Sequence, residues 1–282
     1  LVTDRDVDLA ADPHSIFGPG GYWPIFSPIR ERRNPPHDNL IAFNHVANNS
    51  SSGIYMDGGV RNTIYANSIR GNAKEGLCLD NGATANVVTS NVIQQNGIRW
   101  GQSDETLQLD YVAGRLEDGT AAAKLPGISI DNGLYNIVYA NNISHNSGSG
   151  VKMVRTGWFN AIGLNILENN NDGASTYRFF GIELGAAPGD AQSDELDFTP
   201  SRGNVIFSNL IRGTHSSGIY IEGGSDQNEI FDNVIKDVLA WGIESGSVME
   251  NHAHDNFTDA DSQNAELCCT VKPRAANGSM RR

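Results

Sequence analysis

The stretch NIVYANNISHNSGSG, from Asn136 to Gly150, carries the pattern that decides the fold. It opens with Asn-x-apolar-x-x-Asn, and a glycine follows nine residues after the second asparagine. The six-residue pattern occurs seven times, and a degenerate eighth copy closes the series. The copies start at Asn39, Asn62, Asn86, Asn136, Asn160, Asn204, Asn228 and Asn251.

Successive copies start 23, 24, 50, 24, 44, 24 and 23 residues apart, so the repeat is 23 to 24 residues long and extra chain enters at two steps. Short apolar alternations separated by Asn and Gly predict two strands per copy. A repeat of this kind is typical of one solenoid coil, stacked on the next at about 4.8 Å by parallel hydrogen bonding. We expect the asparagines at the bends, because Asn tolerates left-handed backbone geometry, and in ladders that link the coils.

This pattern resembles that of the right-handed parallel β-helix family, the pectate-lyase-like superfamily with its sugar-binding and hydrolysing domains and NosD-like proteins. The resemblance covers Asn39 to about Asn256 and implies the fold but no particular reaction. We therefore predict an all-β, single-stranded right-handed parallel β-helix of about eight coils with loop insertions. Residues 1–38 are predicted to cap the first coil, 39–256 to form the β-helix, and 257–282 to form a C-terminal cap and a flexible tail.

The charge balance excludes some partners. The chain has 33 acidic and 20 basic residues, a formal net charge of −13, which disfavours nucleic acid and any bare polyanion without a bridging cation. No apolar run approaches the length of a membrane span, so we expect no membrane association. No signal peptide is evident, and we expect a secreted or periplasmic protein whose export signal is not in this sequence. Among the three cysteines no disulfide framework or metal site is evident, and Cys78 is expected to be a small packing residue.

Alternation along the strand that each glycine opens predicts which residues face outward. With Ile54 and Met56 inward, two outward columns result. The first column contains Tyr55, Cys78, Ser129, Lys152, Glu183, Tyr220 and Glu244, and the second contains Asp57, Asp80, Asp131, Val154, Gly185, Glu222 and Ser245.

The extra chain enters at places that favour a binding cleft. About 27 residues enter before Gly127, about 7 before Gly181 and about 14 after the strand of Glu183, so all three insertions flank the same three coils. Insertions in a solenoid tend to collect on the binding face. The predicted cleft has Asp131, Lys152 and Glu183 as its floor and Arg155 at its edge.

These residues favour a carbohydrate-active enzyme that cleaves glycosidic bonds. Hydrolysis needs two carboxylates, for which Glu183 and Asp131 are the predicted pair, and Lys152 between them would keep one ionised. Arg155 completes the predicted catalytic group. The predicted substrate-binding residues are Glu222, Tyr220, Asp80, Tyr55, Trp100 and Trp158; Glu222 could also form a closer pair with Glu183, and Trp100 could be a sugar platform or a hydrophobic plug.

Three alternatives stay open. A polysaccharide lyase or C5-epimerase could act on uronates with Lys152 and Arg155. Lys152 and Glu183 could form only a cross-coil ion pair in a non-catalytic carbohydrate-binding or NosD-like assembly module. The fold resemblance also allows a homotrimer with a shared interface site. No cofactor is firmly predicted: calcium is the one candidate, on the acidic insertion with Asp190, Asp194, Glu195 and Asp197, while His252 and His254 lack a third ligand.

Overall fold

The computed structural model describes residues 35–97, 125–154, 157–170, 180–186, 201–213, 216–246 and 250–259. These residues form 23 short strands and no helix, which confirms the predicted all-β class. Within the same ranges, no helix is long and apolar enough to cross a membrane. The insertions that contain Trp100 and the Asp190 to Asp197 carboxylates lie outside the described residues, as does Arg155.

The strands follow one another in a fixed order along the chain. They are β1 (Leu40–Ala42), β2 (His45–Ala47), β3 (Ile54–Asp57), β4 (Thr63–Tyr65), β5 (Ser68–Arg70), β6 (Leu77–Asp80), β7 (Val87–Thr89), β8 (Val92–Gln94), β9 (Ile128–Asp131), β10 (Ile137–Tyr139), β11 (Asn142–Ser144), β12 (Val151–Val154), β13 (Ala161–Gly163), β14 (Ile166–Glu168), β15 (Ile182–Ala186), β16 (Val205–Phe207), β17 (Leu210–Arg212), β18 (Ile219–Ile221), β19 (Glu229–Phe231), β20 (Val234–Lys236), β21 (Ile243–Ser245), β22 (His252–His254) and β23 (Phe257–Thr258).

Every third strand belongs to the same parallel sheet. The first sheet runs from β1 through β4 to β22, the second from β2 through β5 to β23, and the third from β3 through β6 to β21. The first two sheets have eight strands and the third has seven, so the fold is a right-handed parallel β-helix of eight coils, as predicted. Each full coil has three strands rather than the two predicted. The strand between the second asparagine and the glycine was missed, although an apolar residue such as Ile69 or Ile143 marks its centre.

The core lies inside the coils. The three-residue strands of the first two sheets from β4 to β20 bury their middle residue, and the strands of the third sheet contribute two inward residues each. Val138 of the first sheet, Ile143 of the second and Ile130 of the third are completely buried. The two-residue alternation therefore assigns the inward positions correctly.

Asparagine ladders link the coils at the bends, as predicted. Asn136 is completely buried, and its Oδ1 accepts hydrogen bonds from the backbone N–H and the Nδ2 of Asn86, both at 3.0 Å. Its Nδ2 donates to Asn160 Oδ1 at 3.1 Å and to the Ala83 carbonyl at 2.8 Å. All four hydrogen-bonding positions of this amide are thus used.

The left-handed residue at each bend precedes the ladder asparagine. Tyr135, Ala140 and His145 have φ values of 55°, 54° and 55°. The asparagine that follows each of them is buried. The expectation that asparagine itself adopts the left-handed conformation was wrong, because the inward amide leaves the strained position to its neighbour. A third ladder, which the sequence reading missed, joins Asn49, Asn72, Asn96, Asn146 and Asn170.

Candidate carbohydrate site

The third sheet aligns the first predicted outward column in full. Tyr55 pairs with Cys78, Cys78 with Ser129, Ser129 with Lys152, Lys152 with Glu183, Glu183 with Tyr220, and Tyr220 with Glu244. The middle of this column is not a solvated surface, because Cys78, Ser129 and Glu183 are all buried.

The second predicted column is wrong at two positions. Val154 pairs with Asp131 on one side but with Ala186 on the other, because a bulge shifts the register after Met153 and leaves Gly185 with a positive φ of 71°. Ser245 pairs with Ile221 and is buried, so it faces inward. Placing Ser245 outward directly after Glu244 breaks the two-residue alternation of a strand.

Glu183 is the central charged residue of the first column. Only 6 % of the residue is exposed. Its Oε2 accepts a hydrogen bond of 2.7 Å from the Ser149 hydroxyl, and its Oε1 lies 3.2 Å from the Lys152 ammonium. The strand register that pairs Lys152 with Glu183 places these side chains on the same face in adjacent coils. Both carboxylate oxygens therefore have a donor or a cation within reach.

Ser149 connects this carboxylate to an aromatic pair. The Ser149 hydroxyl accepts a hydrogen bond of 3.1 Å from the backbone N–H of Phe180. The Phe180 ring is stacked on Tyr220, with centroids 4.4 Å apart and an interplanar angle of 12°. Glu183, its serine and the aromatic pair consequently form one packed unit over three coils. Sequence reasoning missed Ser149 and Phe180.

The same serine arrangement occurs once more in the third sheet. The Ser217 hydroxyl donates to Glu244 Oε2 at 2.5 Å and accepts from the Trp241 backbone N–H at 3.3 Å. Each of the two serines precedes the glycine of one coil, and each carboxylate follows the Gly-Ile of the next, so the signal is Ser-Gly followed by Gly-Ile-Glu. Glu183 differs from Glu244 in the residue that pairs with it in the preceding coil. Lys152 pairs with Glu183, whereas Tyr220 pairs with Glu244.

The strand register brings Glu222 nearer to Glu183 than Asp131. Asp131 lies two coils and two strand positions away, which corresponds to a backbone separation of about 12 Å, whereas Glu222 lies one coil and two positions away, or about 8 Å. A Cβ atom added to Gly185 would lie 3.6 Å from the Cβ of Glu222, which places Glu222 beside this glycine of β15. Glu222 Oε1 accepts the Gly223 N–H at 3.3 Å.

Tyr55 and Asp80 form a separate group in the first two coils. The Tyr55 hydroxyl donates to Asp80 Oδ2 at 2.5 Å, and Asn81 Nδ2 donates to Asp57 Oδ1 at 2.9 Å. Partial burial and the hydrogen bond to Asp80 raise the pKa of the Tyr55 phenol. Tyr55 lies four coils, or about 19 Å, and Asp80 three coils, or about 14 Å, from Glu183.

Two further residues that the sequence singles out, Trp158 and His254, lie outside this face. Trp158 forms bridges to Leu134 and Arg202 at the bend after β12, outside both outward columns. His254 of the first sheet bonds through Nδ1 to Asp255 at 2.9 Å and through Nε2 to Glu229 at 3.4 Å. In the described part of the chain, no three His, Cys, Asp or Glu side chains are grouped to hold a metal ion.

Comparison with protein families assigns the chain to one of them. The sequence model described as "Periplasmic copper-binding protein (NosD)" matches residues 37–177, which is half of the chain. The chain belongs to the NosD family. No curated protein matches it significantly.

Solved structures resemble this NosD-family chain at low sequence identity. They include a pectate lyase (14 % identity, TM-score 0.49), the tailspike protein of Dettilon (15 %, 0.48) and the A-module of the mannuronan C-5 epimerase of Azotobacter vinelandii (16 %, 0.45). The similarity covers 86 %, 81 % and 79 % of this chain but only 58 %, 46 % and 59 % of the three proteins. The chain thus spans about half the length of the solved proteins that it matches.

The described donors do not fit the copper ion that the description of the NosD family names. The Met56 and Met153 thioethers lie in the core, where Asn62 and Asn160 amides approach their sulfur atoms at 3.6 and 3.9 Å. The Cys78 thiol is buried, and burial with the nearby Glu75 and Asp80 charges raises its pKa, which disfavours the thiolate that binds metals. The described residues therefore offer no set of copper ligands.

Proposed function

We propose that the protein binds a carbohydrate chain across the coils on the outer face of the third sheet and hydrolyses a glycosidic bond beside Glu183. The observation that carries this proposal is the anchored Glu183 carboxylate, held by Ser149 and Lys152. It lies in the middle of an outward column, on the strand that two of the three sequence insertions adjoin.

The repeat distance of the face supports the binding part of the proposal. Successive coils present one outward residue per column about every 4.8 Å, which is roughly the length of one sugar unit in an extended chain. The column contains hydroxyl, carboxylate and aromatic side chains, of which Tyr55 and Tyr220 can contact sugar rings. A chain that contacts both tyrosines would span about six coils.

The carboxylates support the cleavage part. The backbone separation of about 8 Å between Glu183 and Glu222 allows their carboxyl groups to take up the spacing of about 6.5 to 9.5 Å that inverting glycosidases use. Glu183, with donors on both oxygens, is proposed as the base and Glu222 as the acid. Glu183 takes a proton from water while the water oxygen bonds to the anomeric carbon. The bond to the leaving sugar breaks as Glu222 donates its proton to the glycosidic oxygen, and exchange with solvent restores both groups.

A non-catalytic binding module is the second candidate. The Ser217 and Glu244 pair repeats the Ser149 and Glu183 geometry, which favours a structural role for both serines. The uronate lyase or epimerase is less well supported, because Lys152 is engaged by Glu183 and is the only basic residue in the two outward columns. Arg155, which with Lys152 was predicted to supply the base and the positive charge on the uronate carboxylate, lies outside the described residues.

A panel of neutral, amino-sugar and uronate polysaccharides tests the proposal. Hydrolysis releases new reducing ends without ultraviolet absorbance, whereas elimination creates unsaturated sugar ends that absorb. We expect Glu183→Gln and Glu222→Gln to abolish turnover while circular dichroism and polysaccharide affinity are retained, and the matched Glu244→Gln to remain active. Binding without turnover by the unaltered protein would favour the non-catalytic module, and absence of binding would refute the proposal.

Location and assembly belong to the same proposal. The family description supports a periplasmic or extracellular setting, where polysaccharides are accessible. The homotrimer stays a prediction that a mass measurement in solution can test.

A further inference from the structure

The outer face of the first sheet differs in charge from the rest of the protein. From β1 to β16, the first sheet contains six strands, and we call the outward positions of these strands, with the bend residue after each, the uncharged face. No Asp, Glu, Lys, Arg or His occupies any of these positions. Charges return in the next coil, where Glu229 and Asp232 occupy the corresponding places.

Large apolar side chains are exposed on the uncharged face. Leu40 and Phe43 in the first coil are 67 % and 76 % exposed, and Ile137 in the fourth is 43 % exposed. Tyr139 and Leu164 continue the surface, and are also exposed. Contiguous apolar surfaces of this kind usually mark an interaction site.

We propose that the uncharged face is an interface with a second copy of this chain, in which two first sheets pack face to face. The chain has a formal net charge of −13, so two copies repel each other wherever their acidic surfaces meet. The uncharged face removes that repulsion and replaces it with burial of apolar surface. Flat sheets pack in this way at a distance of about 10 Å.

The size of the face sets the strength of the association. Six coils by four residues cover about 24 by 13 Å, or roughly 300 Å² in the plane of the sheet. Stable complexes bury about 800 Å² of each partner. The association is therefore reversible and depends on concentration. Screening of the residual charge by salt strengthens it.

Two isoleucines provide a matched test. Ile137 on the uncharged face and Ile166 on the outer face of the second sheet each begin a strand, and are 43 % and 40 % exposed. Ile166 lies in a face that also contains Glu168 and Arg212. A lysine at either position should be tolerated by the fold equally, but only Ile137→Lys places an unpaired charge in the interface.

Sedimentation equilibrium over a range of protein and salt concentrations measures the outcome. We expect the unaltered chain to associate reversibly, more strongly at higher salt, and Ile137→Lys to raise the dissociation constant by on the order of tenfold or more while Ile166→Lys leaves it unchanged. A monomer at every concentration would overturn the proposal and leave the face to another segment or partner. An equal loss in both variants would overturn it as well. Since the face lies on a different sheet from Glu183, neither result bears on the proposed hydrolysis.

Discussion

Each buried ladder asparagine supplies side-chain hydrogen bonds to backbone N–H and C=O groups at a bend, where the strand pairing is interrupted. Asn136→Ala would leave the Asn86 backbone N–H without its acceptor in the interior. The Asn86 amide, the Asn160 Oδ1 and the Ala83 carbonyl would each lose one hydrogen bond and keep another. We expect a loss of about 2 to 5 kcal/mol in the free energy of unfolding, because unsatisfied buried groups cost about 1 to 3 kcal/mol each and partly relax. Urea denaturation measures the change.

Asn39 is the matched control for this substitution. It is exposed in the first described coil, and its side chain donates to Asn62 Oδ1 at 2.8 Å. Asn39→Ala should therefore cost about 1 kcal/mol or less. Equal costs at the two positions would show that the ladders contribute little.

Ser149 is predicted to act as a positioning residue for Glu183. Ser149→Ala removes the 2.7 Å hydrogen bond to Glu183 Oε2, so that the carboxylate can rotate while only the Lys152 ion pair holds it. We expect kcat to fall about tenfold or more with KM little changed, since small displacements of a catalytic group are costly. Steady-state kinetics on the polysaccharide identified in the panel provide the measurement.

Ser217→Ala is the control, because it removes the equivalent bond to Glu244 two coils further on. Its kinetics should match those of the unaltered protein. If both serine variants lose the same activity, Ser149 acts through the stability of the sheet rather than through Glu183.

At the scale of the strand, the sequence predicts alternation better than it predicts the number of strands. The inward positions and the whole first outward column follow from a period of two, which holds wherever apolar and polar residues alternate. The middle strand was missed because Asn146 was not recognised as a third bend asparagine at the same five-residue spacing as Asn136 and Asn141. In the sequence, Gly185 is the only indication of the bulge opposite Val154, because the bulge depends on how two coils pair.

The last coil should depend on pH through β22. Hydrogen bonds to Asp255 and Glu229 raise the pKa of His254 above its usual value of 6.5. Because the folded pKa is the higher one, the stabilisation is complete below the unfolded pKa and is lost as pH rises through the folded value. Amide hydrogen exchange, corrected for its intrinsic pH dependence, should show β22 better protected on the acidic side of this transition.

His252 on the same strand supplies the control. His254→Gln should remove the pH dependence of protection in β22, whereas His252→Gln should keep it. A transition that survives His254→Gln would have to come from a different group.

For the molecule as a whole, spacing in the sequence predicts where the candidate site lies but only partly how it is arranged. The columns that place Lys152 beside Glu183 follow from the repeat. The approach of Ser149 to Glu183 depends on side chains reaching across coils, and the preference for Glu222 over Asp131 depends on counting strand positions as well as coils. The three insertions lie outside the described residues, so their predicted role as cleft walls stays a prediction.

The proposed carbohydrate chain lies along the third sheet at Glu183. Amide chemical-shift mapping tests this placement on Glu183→Gln, which should bind without cleaving, with an oligosaccharide of the polysaccharide selected by the panel. We expect the shifts to concentrate in β9, β12, β15 and β18, including Lys152 and Tyr220, with the first and second sheets unaffected. Shifts confined to the first or second sheet, with none at residues 152 and 220, would contradict it.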